Sequence, residues 1–195
     1  MAKKIAFFDI ESLYSFTEID PYFFNYSFKE KAEVCKTLFP QLGLAVACAI
    51  VDGEKQESLS FEEDNVKGLA ELLYSADAIV GHNILNFDYA VLSKYCKQDL
   101  IDKFVSKTID TSKILHDKTG KFVKLNSLAK YNGIEGKTME GKDAPKFWRE
   151  GKKELVRDYC FNDVKMLREV YYLGKEDKLK LVDDVGKVTI LKGLW

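Results

Sequence analysis

Carboxylates stand where apolar residues belong in three separate stretches of this 195-residue chain. No other feature restricts the fold as much. Ile5 to Glu11 reads as a short apolar strand. Period-two alternation puts Ile5, Phe7, Asp9 and Glu11 on one face and Ala6, Phe8 and Ile10 on the other, so both faces are expected to be buried. On a helix predicted after Asn83, the stripe of Val91, Leu92 and Tyr95 continues back to Asp88 at helical spacing. On a longer helix predicted over 154–173, Val156, Tyr159, Cys160, Leu167 and Val170 share a stripe with Asp163. Tyr159 and Asp163 lie one turn apart on that stripe.

A charge in an apolar row costs on the order of several kcal/mol unless a cation or hydrogen bonds compensate it. The stripes contain no Lys or Arg. Divalent metal compensates four such acids on three core elements at once. An all-oxygen ligand set suits Mg²⁺ or Mn²⁺ rather than zinc. Each acid taken singly has an ordinary explanation. Asp9 and Glu11 could end a strand at the surface, Asp88 could cap its helix, and Asp163 could pair with Lys165 or Arg157. Their combination, in this order and on these elements, points to a metal centre.

Further strands are predicted over 42–51, 57–61, 78–80 and 108–111. Helices are predicted over 65–75 and 125–132, with a helical turn at 112–116 and a polar loop holding one helical turn over 137–152. Residues 12–40 read as irregular and aromatic-rich, carrying Tyr14, Phe16, Tyr22, Phe23, Phe24, Tyr26 and Phe28. These aromatics could form a stacking platform or an extra packed layer, and packing is the favoured expectation. Residues 178–194 suggest a hairpin turning at Asp184-Val185-Gly186-Lys187. Strands first, then strands mixed with helices, indicate an α/β layer fold in one compact unit.

Four cysteines without a C-x-x-C pair, and only two histidines, exclude a disulfide framework and a zinc site. Nothing at the start reads as a secretory signal, and no apolar run reaches the ~18–20 residues of a membrane span. The expectation is a soluble, intracellular, cytoplasmic protein. The net charge of −1 conceals an asymmetry. Residues 1–100 hold 9 Lys and Arg against 16 Asp and Glu, whereas residues 101–160 hold 14 against 9. The basic part, above all Lys142 to Arg157, could therefore track a polyanion.

The acids also fall into spaced motifs. Phe8-Asp9-Ile10-Glu11 matches D-x-E after an apolar strand, Asn83 to Asp88 matches N-x₃-[FY]-D, and Tyr159-Cys160-Phe161-Asn162-Asp163 matches Y-x₃-D. Together they resemble the DEDD, or DnaQ-like, 3′–5′ exonuclease superfamily in its tyrosine subclass. The histidine subclass would need His where Asp158 stands. Gly81-His82-Asn83, Ile109-Asp110-Thr111 and Leu125 to Ala129 further resemble the exonuclease domains of family B DNA polymerases and the YprB-like domains. The resemblance spans about residues 4–173. It departs from the family in the near thirty residues after Glu11 and in the tail.

This resemblance implies a ribonuclease H-like α/β fold with a central mixed sheet flanked by helices. It implies an exonuclease domain over 1–177, with an aromatic-rich insertion at about 12–40, and a hairpin-like extension over 178–195. It further implies hydrolysis at the 3′ end of single-stranded nucleic acid, DNA favoured over RNA, releasing nucleoside 5′-monophosphates. Two divalent ions, Mg²⁺ or Mn²⁺, would be held by Asp9, Glu11, Asp88 and Asp163, with Asp9 bridging and Tyr159 orienting the attacking water. Ser12, Asn83 and Phe87 would touch the terminal nucleotide or brace the motifs, and His82 would be a loop histidine with no catalytic part. A helicase or polymerase partner fits such a domain. Two rivals share these residues: an inactive nucleic-acid-binding or scaffolding module on the same fold, and a ribonuclease H-type endonuclease.

Overall fold

The computed structural model describes residues 2–137, 139–183 and 185–195. In chain order its elements are β1 (Ile5–Ser12), α1 (Phe16–Ile19), α2 (Phe28–Leu42), β2 (Leu44–Asp52), β3 (Glu57–Glu62), α3 (Val66–Ser75), β4 (Ala78–Gly81) and α4 (Asp88–Leu92). There follow α5 (Gln98–Val105), β5 (Thr108–Asp110), α6 (Thr111–Thr119), α7 (Leu125–Tyr131), α8 (Ala144–Arg149), α9 (Lys153–Lys175), β6 (Lys180–Val182) and β7 (Val188–Ile190).

Five strands form one mixed sheet in the order β3-β2-β1-β4-β5. β1 to β3 make an antiparallel meander, and β4 and β5 join β1 in parallel through helical crossovers. The alternation along β1 divides the core. Ile5 and Phe7 pack with Val156, Cys160, Val164 and Leu167 of α9, whereas Ala6, Phe8 and Ile10 pack with Leu42 of α2 and residues of α3, α4 and α5. Both faces of β1 are therefore covered, and the row of Ile5 and Phe7 runs on to Asp9 and Glu11 at the carboxyl end of the strand. A β-bulge between Glu11 and Ser12 breaks the β1–β2 ladder just past these acids, where bulges re-aim side chains. The far end of α9 is tied to the sheet by Arg168 Nε, 2.9 Å from Asp52 Oδ2, and by the Tyr172 hydroxyl donating to the same oxygen at 2.6 Å.

The segment expected to be irregular is not. Residues 28–42 form a fifteen-residue helix opened by a capping box, in which Ser27 Oγ accepts from Glu30 N–H and Glu30 reaches back to Ser27 N–H. Its aromatics pack against one another: Phe16 stacks on Phe23 at 4.4 Å, and Phe39 meets both Phe16 and Phe87 edge-on. Helix α5 lies outside the predicted elements, whereas α8 supplies the one helical turn expected within the loop over 137–152. In that loop Thr138 lies outside the described residues, as does Asp184 of the expected turn in the tail. β6 and β7 pair antiparallel beyond α9. Leu179, Leu191 and Leu194 enter the core on the α9 side, and Trp195 stacks on Tyr171 at 5.6 Å. Among the described residues, no helix is long and apolar enough to cross a membrane.

Candidate metal centre and active site

Asp9 and Glu11 leave the end of β1 two residues apart, so they project from one face. Helix α9 crosses that face and sets Asp163 against them. Carboxylate oxygens of Asp9, Glu11 and Asp163 all lie within 4.8 Å of one another, as a common cation would require. Asp88, at the first position of α4, comes in from the opposite side of β1. It lies close enough to Asp9 to raise its proton affinity, though outside the three-acid cluster.

Glu11, Asp88 and Asp163 are buried, and Asp9 keeps partial contact with a cleft of about 600 Å³. Burial raises the proton affinity of all four. Asp9 is pushed up to about 8, first by burial and then by the charge of Asp163. Glu11 rises well above the carboxylate range through burial and then Asp9, and Asp88 does so for the same two reasons. Asp163 rises through burial, against the pull of Lys137. Among the described side chains, Asp88 Oδ1 and Asp163 Oδ1 are buried without a hydrogen-bond partner. Clustered, partly orphaned carboxylates held away from their charged state are what a hard divalent cation relieves. These residues fit such an ion.

The protein's own cation sits here. Lys137 Nζ lies 2.7 Å from Asp163 Oδ2 and also donates to the Tyr159 hydroxyl. Burial works against its charge, yet Asp163, then Asp9 and Glu11, hold its ammonium above the ordinary value. Sequence reading missed Lys137 because it comes from the irregular stretch before α8, far in sequence from every acid it faces. Tyr159 lies one turn before Asp163 on α9 and is buried, its hydroxyl within 3.1 Å of where a Cβ on Gly141 would stand. Burial and then Asp163 push its phenol far above the usual range, so it remains a hydrogen-bond donor.

The loop carrying Asn83 and Phe87 is held by Asp110 at the end of β5, a second residue the sequence reading left without a role. One carboxylate accepts from the backbone N–H groups of Asn83 (2.9 Å), Leu85 (3.0 Å), Ser112 (3.0 Å) and Lys113 (3.2 Å). It caps α6 and fixes the turn into α4 together. Asn83 adopts a left-handed φ of 71°, a conformation Asn tolerates, and its side chain accepts from Asn86 Nδ2. Asn83, Phe87 and Ser12 all line the cleft, Phe87 wedged against Phe39 and Ser12 Oγ donating to Tyr14 carbonyl. His82 reaches Thr111 Oγ1 and Val123 carbonyl at 2.9 Å each, and burial pushes it down to about 4, so it is neutral with both nitrogens engaged. Tyr14, Phe16 and Phe24 form the outer wall of the cleft. Phe16, Phe23 and Phe39 of the aromatic segment thus form a packed layer, whereas Tyr22, Phe24 and Phe28 are exposed. The basic run around α8 presents less charge than its sequence suggests: Lys146, Arg149, Lys152, Lys153 and Arg157 each face a carboxylate.

Residues 82–173 match the model of a family described as a predicted 3′–5′ exonuclease related to the exonuclease domain of PolB. That span holds Asn83, Asp88, Tyr159 and Asp163, and the fold brings Asp9 and Glu11 to it from outside. No curated protein matches the chain. Among solved structures, the family B DNA polymerase from the hyperthermophilic archaeon Pyrobaculum calidifontis matches with a TM-score of 0.58, at 17% identity over 88% of this chain. The chain corresponds to 24% of that polymerase's length. At this identity the match speaks to fold: a ribonuclease H-like α/β sheet flanked by helices, as the motifs implied.

Proposed function

We propose, from the premise that this chain carries a PolB-like 3′–5′ exonuclease domain, that it removes nucleotides one at a time from the 3′ end of single-stranded nucleic acid. DNA is the proposed substrate, in keeping with the polymerase likeness, and nucleoside 5′-monophosphates are the proposed products. The observation that carries this reading is the convergence of Asp9, Glu11 and Asp163 within 4.8 Å at the floor of a cleft, with Asp88 beside Asp9.

Asp9, Glu11 and Asp163 would hold one Mg²⁺ or Mn²⁺, and Asp9 with Asp88 a second. Such ions, when bound, acidify a coordinated water and stabilise negative charge on the phosphoryl and leaving oxygens. The remaining work falls to the chain. Tyr159, kept protonated, donates toward the attacking water and fixes its direction. Lys137 neutralises Asp163 in the metal-free protein and must swing aside on loading. Ser12 and Asn83, which line the cleft, would contact the terminal sugar and phosphate, and Phe87, beside them, would abut the terminal base. His82, neutral and with both nitrogens engaged by Thr111 and Val123, has no free nitrogen to act as acid or base. A helicase or polymerase would suit as the supplier of single-stranded ends.

Linear strands labelled at the 5′ or the 3′ end, beside a circular strand of the same sequence, test this directly. With Mg²⁺ or Mn²⁺ the 5′-labelled strand should shorten in a mononucleotide ladder and the circle should survive. Cutting of the circle would instead mark a ribonuclease H-type endonuclease. Binding without any metal-dependent shortening would mark an inactive module.

A further inference from the structure

The acidic cluster opens on two sides. The aromatic segment walls the first. The second is a hollow of about 650 Å³ that shares Asp9, His82, Lys137 and Asp163 with the first and runs out past Phe122, Val123 and Lys124. Those last three residues also border a larger hollow of about 1050 Å³, enclosed between α6, α7 and the β6–β7 pair. The two hollows adjoin along Phe122, Val123 and Lys124, so together they line the surface from the acids to the tail.

The chemistry of its walls is specific. Lys118, Lys124 and Lys192 are exposed along the outer part, where Asp183 is the one carboxylate among the described lining residues. The bonds of Lys118 Nζ go to the neutral carbonyls of Lys192 and Gly193, and Asp183 is turned onto the backbone N–H groups of Val185 and Lys187. Phe122 is 73% exposed, its ring backed by His116 at 4.0 Å and nearly parallel to it. An open aromatic face set among lysines offers stacking to a base and charge to the phosphates beside it.

We propose that this groove carries the single strand upstream of the nucleotide being removed, with Phe122 stacking a base and Lys118, Lys124 and Lys192 contacting phosphates. The proposal rests on the exonuclease reading, which places the 3′ end at the acids. It also gives the β6–β7 tail, absent from the exonuclease motifs, a part in holding substrate. Charge complementarity and continuity with the acids favour a nucleic-acid strand over a protein partner in this position.

Fluorescence anisotropy with single strands of three and twelve nucleotides, in an Asp9→Asn background that silences cleavage, tests the groove. Phe122→Ala should weaken binding of the twelve-mer about tenfold, and of the three-mer much less. Phe122→Trp should recover the affinity, which a merely structural role would not do. Lys124→Gln and Lys192→Gln should each reduce the salt slope for the twelve-mer by roughly 0.7. Equal losses at both lengths, or an unchanged twelve-mer affinity and slope, would overturn the proposal. Trimming of the three-mer by the unmodified protein, followed in parallel, reports on the exonuclease reading alone. Its absence would remove the 3′ end from the acids, and the strand's placement with it.

Discussion

At Asp9 and its neighbours, protonation and metal loading compete for the same oxygens. A carboxyl whose folded value stands at about 8, above an unfolded value near ~3.9, holds its proton more tightly in the folded chain. Its stabilising contribution is complete below the unfolded value and is lost as pH rises from about 4 toward 8. The metal-free protein should therefore lose thermal stability across that window, and Asp9→Asn, which cannot ionise, should flatten the loss. Melting curves in chelator from pH 5 to 8.5 would show this; identical pH profiles for the two proteins would contradict it. Asp163 behaves differently from Asp9 because Lys137 leans on it. Lys137→Met should destabilise the metal-free protein, by leaving Asp163 unpaired, and yet tighten divalent-cation binding, since no ammonium then has to leave. Titration calorimetry with Mn²⁺ reads the second effect, and weaker binding would refute the displacement. Tyr159→Phe should slow turnover roughly a hundredfold while leaving metal affinity within about twofold. Full activity in that variant would remove Tyr159 from the chemistry.

At the scale of elements, what could be read from sequence depended on whether one segment carried its own signal. β1 was legible because both of its faces are apolar until Asp9, and α9 because one stripe persists from Val156 to Val170, about four turns. α2 had a signal that went unused: Ser27-Phe28-Lys29-Glu30 is a capping box, and the density of aromatics around it concealed the helix start. Lys137 and Asp110 could not have been assigned from sequence. Lys137 acts on residues 22 to 128 positions away, and Asp110, besides capping α6 locally, holds Asn83 and Leu85 from 27 and 25 positions away; neither neighbouring sequence nor periodicity encodes these distant contacts. The turn between β4 and α4 is equally tertiary. A Cβ on Gly81 would fall 2.1 Å from Ile84 Cγ2 inside the core, so Gly81→Ala must push Ile84 and the loop behind it. Overpacking of this kind costs about 1–3 kcal/mol. Urea unfolding should show that loss, with reduced activity beyond it because Asn83 and Asp88 follow within seven residues; an unchanged midpoint would mean the core has slack there.

For the whole molecule, the site is the place where the two halves of the fold meet. β1 supplies two acids, α4 a third and α9 a fourth, so ions held by Asp9 with Glu11 and Asp163, and by Asp9 with Asp88, would tie together elements that pack on opposite faces of the sheet. Ligand binding to the folded state alone stabilises by about 2.7 kcal/mol at a hundredfold excess over Kd. Mg²⁺ or Mn²⁺ at that level should raise the melting temperature by roughly 5–10 °C, an effect that Asp9→Asn should largely abolish. The most direct test of the account remains chemical. A 5′-labelled single strand is incubated with Mn²⁺, with Mg²⁺ or with chelator, using the unmodified protein and Asp9→Asn purified side by side. The expected result is a ladder shortening one nucleotide at a time from the 3′ end, dependent on metal and at least about a thousandfold slower in the variant. Shortening that persists in chelator, or at an equal rate in Asp9→Asn, would contradict the assignment of these four carboxylates as the metal centre of an exonuclease.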